Sequence, residues 1–194
     1  KKKKNIPTVV VDPRFTGSSK GYQDINPDNS VHVPVLNGDI SFLNAIAHVL
    51  LKDHDDVIDW DFLKSHVTGW QKYVNTVKKK YSPEQVQDRM GSKEVTPELI
   101  RKVASMFADA TRKRLDRGKD GHGGVIIMWG IGYNQHIHGQ HNVISIINLL
   151  TLTGNLAKPG CGPFSMTGQP NAMGERFTGG LTGRLPFNQP LKNG

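Results

Sequence analysis

The sequence predicts an α/β fold built on parallel strands, and three observations carry that expectation. Thr8-Val9-Val10-Val11 is a continuous β-branched run closed by the polar turn Asp12-Pro13-Arg14, the pattern of a strand buried on both faces. Gly124-Val125-Ile126-Ile127-Met128-Trp129 repeats it in the second half and is broken at once by Gly130-Ile131-Gly132. Amphipathic helical spacing follows each time, so each half shows a strand, a polar or glycine turn, and a helix. In such folds ligands gather at the carboxyl ends of the strands.

Taken in order, Gly17 to Asn29 reads as an irregular polar stretch, and Val31-His32-Val33 alternates like a brief strand leading into Leu36-Asn37-Gly38-Asp39. Asp39 has the character of an N-cap, because Ile40, Leu43, Ala47, Leu50 and Leu51 then recur at helical spacing to about Lys52. Trp60, Phe62, Leu63, Trp70 and Tyr73 fit short helices glued to a neighbouring surface by their aromatic rings. Ser82-Pro83-Glu84 and Thr96-Pro97-Glu98 each set a capping hydroxyl before a proline at the first helical position, with an acid in the first turn. The second of these helices is expected to run from Pro97 to about Arg112. Arg114 to Gly124 reads as a charged, glycine-rich surface loop. From about Gln140, Val143, Ile146, Ile147 and Leu150 mark a helix that stops at Gly154. Lys158 to Arg176, dense in glycine and proline, reads as a shaped loop that braces Gln169 and Arg176.

Composition narrows the function. In 194 residues, a hydrophobic content of 36% suffices for a core, and the longest apolar stretch, Val143 to Leu152, is too short and too often interrupted to cross a bilayer. Lys1-Lys2-Lys3-Lys4-Asn5 lacks the apolar region of a signal peptide and reads as part of a helix of a longer chain. A net charge of +8 admits an anionic cofactor or nucleic acid. The basic clusters Lys78-Lys79-Lys80 and Arg112-Lys113-Arg114 fall at helix ends, where they oppose the macrodipole and need no ligand. Without an aromatic-interleaved basic motif, nucleic acid is not expected as a partner. One cysteine, Cys161, excludes an internal disulfide and a multi-thiolate cluster within this chain.

Several residues suit anion or heterocycle recognition. Gly130-Ile131-Gly132-Tyr133-Asn134-Gln135 has two glycines of a dinucleotide turn but Gln135 in place of the third, so it is no nicotinamide signature. It still offers backbone N–H groups to phosphate, and Asn134 and Gln135 to a heterocycle or ribose. Asp12 and Asp39 are each suited either to accept two hydrogen bonds from a guanine edge or to serve as a turn former and an N-cap. His122, His136, His138 and His141 lack an acidic ligand nearby in sequence, and no metal site is assigned to them. The guanidinium fork of Arg176 suits a small oxyanion.

Taken together, Val9-Val10-Val11-Asp12-Pro13-Arg14-Phe15-Thr16, Asn37-Gly38-Asp39-Ile40, Trp129 to His136 and Leu152 to Pro170 resemble the molybdopterin oxidoreductases, most closely the catalytic subunits of assimilatory and periplasmic nitrate reductases. The resemblance runs from about Thr8 to Arg176 and implies Rossmann-like parallel-sheet segments of the DMSO reductase and formate dehydrogenase type. It also implies a bis-molybdopterin guanine dinucleotide cofactor with molybdenum. Residues 1–120 would form an α/β segment with the first dinucleotide contacts and its helical cover, and 121–194 a strand–turn–helix segment with the active-site loop. By carry-over, Asp12, Pro13, Arg14, Phe15, Thr16, Asn37, Gly38 and Asp39 would contact one guanine dinucleotide, and Ile131 and Gln135 would lie near the pterin. Gln169 and Arg176 would line a nitrate funnel beside molybdenum.

Family members commonly carry methionine where Ile131 stands, and a different segment at Glu175-Arg176-Phe177. The implied enzyme reduces nitrate to nitrite by oxo transfer, with formate dehydrogenase of the same superfamily or a non-catalytic nucleotide-binding module as alternatives. The implied partners are nitrate, an electron-donor protein (ferredoxin, flavodoxin, an NADH-linked subunit or a cytochrome) and the remainder of the catalytic subunit, without membrane insertion. An iron–sulfur cluster is expected in a preceding N-terminal part. The location implied is cytoplasmic, with periplasmic as the alternative.

Overall fold

The computed structural model describes residues 6–118, 123–166, 168–179, 184–185, 187 and 189–190. The run Lys1 to Lys4, His122 and Thr167 lie outside them.

The expected strands form as parallel pairs. β1 (Thr8–Val11) pairs with β2 (Ser30–Val33) in the register Val9 to Val31 and Val11 to Val33. β3 (Ile126–Trp129) pairs with β4 (Gly162–Ser165), Met128 opposite Phe164. The two pairs are separate sheets, and a third, antiparallel pair joins β5 (Arg184–Leu185) to β6 (Gln189–Pro190). β4 departs from the expected loop. Its Pro163 has no N–H to give, which an edge strand tolerates, and Gly162 N–H to the Val125 carbonyl (3.0 Å) and Met166 N–H to the Trp129 carbonyl (2.8 Å) carry the pairing past both its ends.

Nine α-helical segments surround these strands among the described residues: α1 (Gly17–Ile25), α2 (Asp39–Asp53), α3 (Trp60–His66), α4 (Trp70–Lys80), the single turn α5 (Pro83–Val86), α6 (Pro97–Leu115), the single turn α7 (Ile131–Asn134), α8 (Gly139–Leu152) and α9 (Ala172–Thr178). α1 replaces the expected irregular stretch. Gly17, Ser18, Ser19 and Gly21 have poor helix propensity, but the Thr16 side chain accepts from the Ser19 N–H (3.3 Å) and caps the first turn. α9 likewise replaces part of the expected loop, so Arg176 stands on a helix that ends at Gly179 in the left-handed region. Asp39 is the first helical residue of α2 and Gly38 its cap, a shift of one position. The capping hydroxyls of Ser82 and Thr96 act as expected, Ser82 in a reciprocal box with Gln85.

The core is organised around α2, whose Phe42, Ala45, Ile46, Val49 and Leu50 are buried, and which packs on α4, α5, α6 and α8. Trp60 and Trp70 meet edge to face at 5.8 Å, and Leu63 and Val74 are buried beside them, so the aromatic residues of α3 and α4 serve packing as expected.

The expected surface loop from Arg114 is the largest departure. α6 continues to Leu115, and Arg114 is only 1% exposed. Its Nη2 donates to the carbonyl of Thr153 (3.1 Å), the C-cap of α8, and its Nε to Asn155 Oδ1 (3.3 Å). The guanidinium therefore sits at the negative ends of two helices, which offset the cost of burying its charge. Asn155 is fully buried and donates to Thr111 Oγ1 (2.8 Å) and Thr153 Oγ1 (2.9 Å), while its Oδ1 also accepts from the Val125 N–H (3.3 Å) just before β3. A side chain on Gly124, whose φ is +109°, would collide with that same amide oxygen. One amide thus binds α6, α8 and the start of β3.

Asn155→Ala strips Arg114, Thr111 and Val125 of a buried partner and is expected to destabilise the full-length protein by about 2–4 kcal/mol. Urea unfolding measures it, and faster amide exchange in β3 and the last turn of α6 than elsewhere identifies the cause.

Candidate functional site

Because β1 and β2 run parallel, the turns that follow them leave from the same end of the pair, and the same holds for β3 and β4. At the first end, the Asp12 N–H donates to the Val33 carbonyl (3.2 Å) and Asp12 Oδ1 accepts from the Arg14 N–H (2.8 Å), which closes the turn around Pro13. Asp12 therefore has the turn-forming role that its position allowed. Phe15 is left half-exposed with its ring edge-on to His32 at 5.3 Å, and the His32 Nε2–H donates to the Asp12 carbonyl (2.9 Å). Thr16 caps α1, whose first turn carries no acidic residue. The N–H groups of that turn and the positive end of the helix dipole thus lie directly after Asp12-Pro13-Arg14-Phe15.

Pro13, Phe15, His32, Leu36, Ser92 and Glu94 line a cleft of about 460 Å³ at this end. Ser92 and Glu94 were not expected, and no local motif marks them. They arrive because the Leu36 and Asn37 N–H groups both donate to the Met90 carbonyl, at 3.0 and 3.3 Å. The close approach needs Gly38, whose φ is +89° and whose missing side chain leaves room for the Arg89 carbonyl. Asn37 is exposed and Asp39 half-buried.

At the second end, Gly130 opens the turn α7, and Ile131 and Gln135 are both exposed. Tyr133 anchors this turn on α8: its hydroxyl donates to the Asn142 carbonyl (2.8 Å) and lies 3.2 Å from Ser145 Oγ, and Asn142 Nδ2 returns a bond to the Tyr133 carbonyl (2.8 Å). Burial, chiefly, pushes the Tyr133 hydroxyl well above its ordinary pKa. His136 donates from Nε2 to the Gly132 carbonyl (2.6 Å) and braces the same turn. The rings of His138 and His141 lie 6.1 Å apart, and among the described residues no group of three His, Cys, Asp or Glu is placed to hold a metal ion.

Asp39 links the two ends. Burial raises its carboxyl pKa above the ordinary value, opposed by its own backbone N–H and then by the charge of His136, and its charge in turn raises that of Tyr133. The turn after β2 and the turn after β3 therefore belong to one electrostatic neighbourhood.

Met166 continues the β4 pairing beside Trp129, so the chain leads from this same end toward Gln169. Gln169, Asn171, Ala172, Gly174 and Glu175 line a shallow depression of about 460 Å³. Arg176 is exposed on α9 and is not among the residues lining that depression. Gln169 and Arg176 are thus neighbours on one segment rather than two walls of one pocket.

The profile of the family described as Molybdopterin oxidoreductase matches residues 1–190. The chain is 33% identical over 194 residues to a nitrate reductase of Synechocystis sp., covering 100% of this chain and 24% of that protein. It is 32% identical over 191 residues to the F420-dependent formate dehydrogenase 1 subunit alpha of Methanococcus maripaludis, covering 98% of this chain and 25% of that protein. To formate dehydrogenase H of Escherichia coli it is 31% identical over 193 residues, covering 99% and 24%. The chain therefore spans about a quarter of the length of these curated relatives.

The raised pKa of Asp39 carries a pH signature. A carboxyl that holds its proton more tightly when folded contributes stability that is fully present below the ordinary value of 3.8 and is lost as pH rises through the folded value. Asp39→Asn, neutral throughout, is expected to flatten that decline. Urea midpoints of the full-length protein at a series of pH values check it; parallel curves for the two proteins would exclude Asp39 as the source.

Proposed function

This chain belongs to the molybdopterin oxidoreductase family, which implies a molybdenum–pterin cofactor, and we propose that it is part of the catalytic subunit of a molybdenum-dependent nitrate reductase. The observation that carries the reading is the convergence of the strand-end turns. Asp12 to Thr16 and Asn37 to Asp39 leave one parallel pair, Gly130 to Gln135 and the segment bearing Gln169 leave the other, and α2, which Asp39 opens, packs on α8, to which Tyr133 ties the Gly130 turn.

These residues fit a guanine dinucleotide. The acid-free first turn of α1 offers N–H groups to phosphate, Phe15 offers a ring to a heterocycle, and the cleft beside it has a size suited to a base. Leu36, Ser92 and Glu94 form its second wall, drawn together where the Met90 carbonyl accepts from the Leu36 and Asn37 N–H groups, and Asn37, Gly38 and Asp39 follow directly in the chain. Ile131, which opens α7, and Gln135, which follows its last residue, are both exposed, as pterin contacts would be. The form of the cofactor we propose is bis-molybdopterin guanine dinucleotide. When bound, it supplies two-electron oxo transfer at molybdenum.

The residues of this chain then bind and orient the anion. Arg176 would attract nitrate and hold two of its oxygens in the guanidinium plane, and Gln169, its neighbour on the same exposed segment, would offer an amide N–H once the rest of the subunit closes a pocket over that segment. Electrons come from a donor protein, ferredoxin, flavodoxin, an NADH-linked subunit or a cytochrome, by way of an iron–sulfur cluster elsewhere in the subunit. The compact connection from α2 to Ser82, filled by the short helices α3 and α4, supports an assimilatory, cytoplasmic subunit over a periplasmic one. Formate dehydrogenases match the chain nearly as well as nitrate reductases, so formate is the competing substrate. Gln169 and Arg176 favour nitrate.

In the full-length, cofactor-loaded subunit, Arg176→Ala is expected to lower kcat/KM for nitrate by about 10²–10³-fold with molybdenum content unchanged. Nitrate turnover indifferent to the substitution overturns the role of Arg176. Formate oxidation without nitrate turnover by the loaded wild type overturns the substrate.

A further inference from the structure

The β3–β4 pair treats its two faces differently. Register partners in a parallel pair project to the same side, so Ile126 shares a face with Gly162, and Met128 with Phe164; alternation along β4 brings Met166 onto it as well. On the other face, Ile127 and Trp129 pack against the core, and the crossover helix α8 covers β4. Ile126, Met128, Phe164 and Met166 are each 55–56% exposed.

A parallel pair is stable where helices cover both faces, because each strand presents apolar side chains to both. Here one cover is present. The other face carries no charged residue along either strand, so its complement is apolar. That chemistry does not suit a transient redox partner, whose contact is small and polar-rimmed. It suits a permanent element with one apolar stripe. Relatives of which this chain covers 24% and 25% hold ample further sequence for such an element.

We propose that the outer face of β3–β4, formed by Ile126, Met128, Phe164 and Met166, is the seat of an amphipathic helix supplied by the same polypeptide outside these 194 residues. This rests on reading the chain as one part of a longer catalytic subunit and is independent of the nitrate assignment, since its test reads no activity.

The test is hydroxyl-radical footprinting of the purified full-length holoenzyme, with Met90, fully buried inside this chain, as the protected standard. Met128 and Met166 are expected to oxidise roughly tenfold more slowly than in the urea-unfolded protein, close to Met90. Oxidation near the unfolded rate overturns the proposal, as does protection that vanishes on dilution to the monomer or arises only when an electron donor is added. A photoreactive residue in place of Met128 identifies the occupant. Cross-links to residues three or four apart in the same polypeptide, outside this stretch, support it; cross-links within the stretch or to a second molecule overturn it.

Discussion

The burial of a single guanidinium without a carboxylate partner governs how the two halves of this chain are joined. Arg114 closes the carboxyl end of α8 through the Thr153 carbonyl while it ends α6, so two helix dipoles share one positive charge. Asn155 makes the arrangement possible, because an amide both accepts from the guanidinium and donates to Thr111 and Thr153. Its oxygen also takes the Val125 N–H, and β3 starts there. The position of β3, and hence of the turn that follows it, is set by the same amide that holds the guanidinium at the buried helix end.

The placement of the site follows from that junction. With β3 held against α6 and α8, the Gly130 turn is anchored by Tyr133 on α8, and α8 packs against α2. Asp39 opens α2, and its carboxyl feels the charge of His136 and acts on the Tyr133 hydroxyl through space. The strand-end turns of two separate parallel pairs are thereby brought into one region without a continuous sheet between them. A shared helix layer does the work that strand order does in a doubly wound sheet. Family membership agrees with this arrangement, and relatives with both nitrate reductase and formate dehydrogenase names match at nearly equal identity, so the fold alone does not distinguish the two.

The motif residues divide by what their surroundings ask of them. Asp12 and Thr16 spend hydrogen bonds on the turn and on capping α1, which fixes where Phe15 and the first N–H groups of α1 point. Asn37, Ile131, Gln135, Gln169 and Arg176 remain exposed. The first group shapes the backbone of the site and the second presents side chains from it. Ser92 and Glu94 enter the cleft only because the Met90 carbonyl is bound by two N–H groups on the far side of Gly38.

By itself the sequence determined the features that depend on neighbours along the chain: β-branched runs as strands, proline and hydroxyl caps at Ser82 and Thr96, the helical periodicity of α2, α6 and α8, and the glycine breaks that mark the strand-end turns. Local signals are strong there because each needs only residues within one turn of helix or one strand. It misjudged α1, β4 and α9, where glycine and proline argue for loops and only a cap, an edge position or a left-handed glycine after the last turn permits regular structure. Arg114 could be read only as a surface charge, since its partners stand about forty residues away and burial of a cation is allowed solely where distant acceptors and helix ends converge. The tertiary structure likewise decided that the parallel strands form two separate pairs, that Gln169 and Arg176 occupy neighbouring rather than facing positions, and that one face of β3–β4 is left exposed among the described residues. Each depends on which surfaces meet, and periodicity along the chain carries no record of the surface on the other side of a contact.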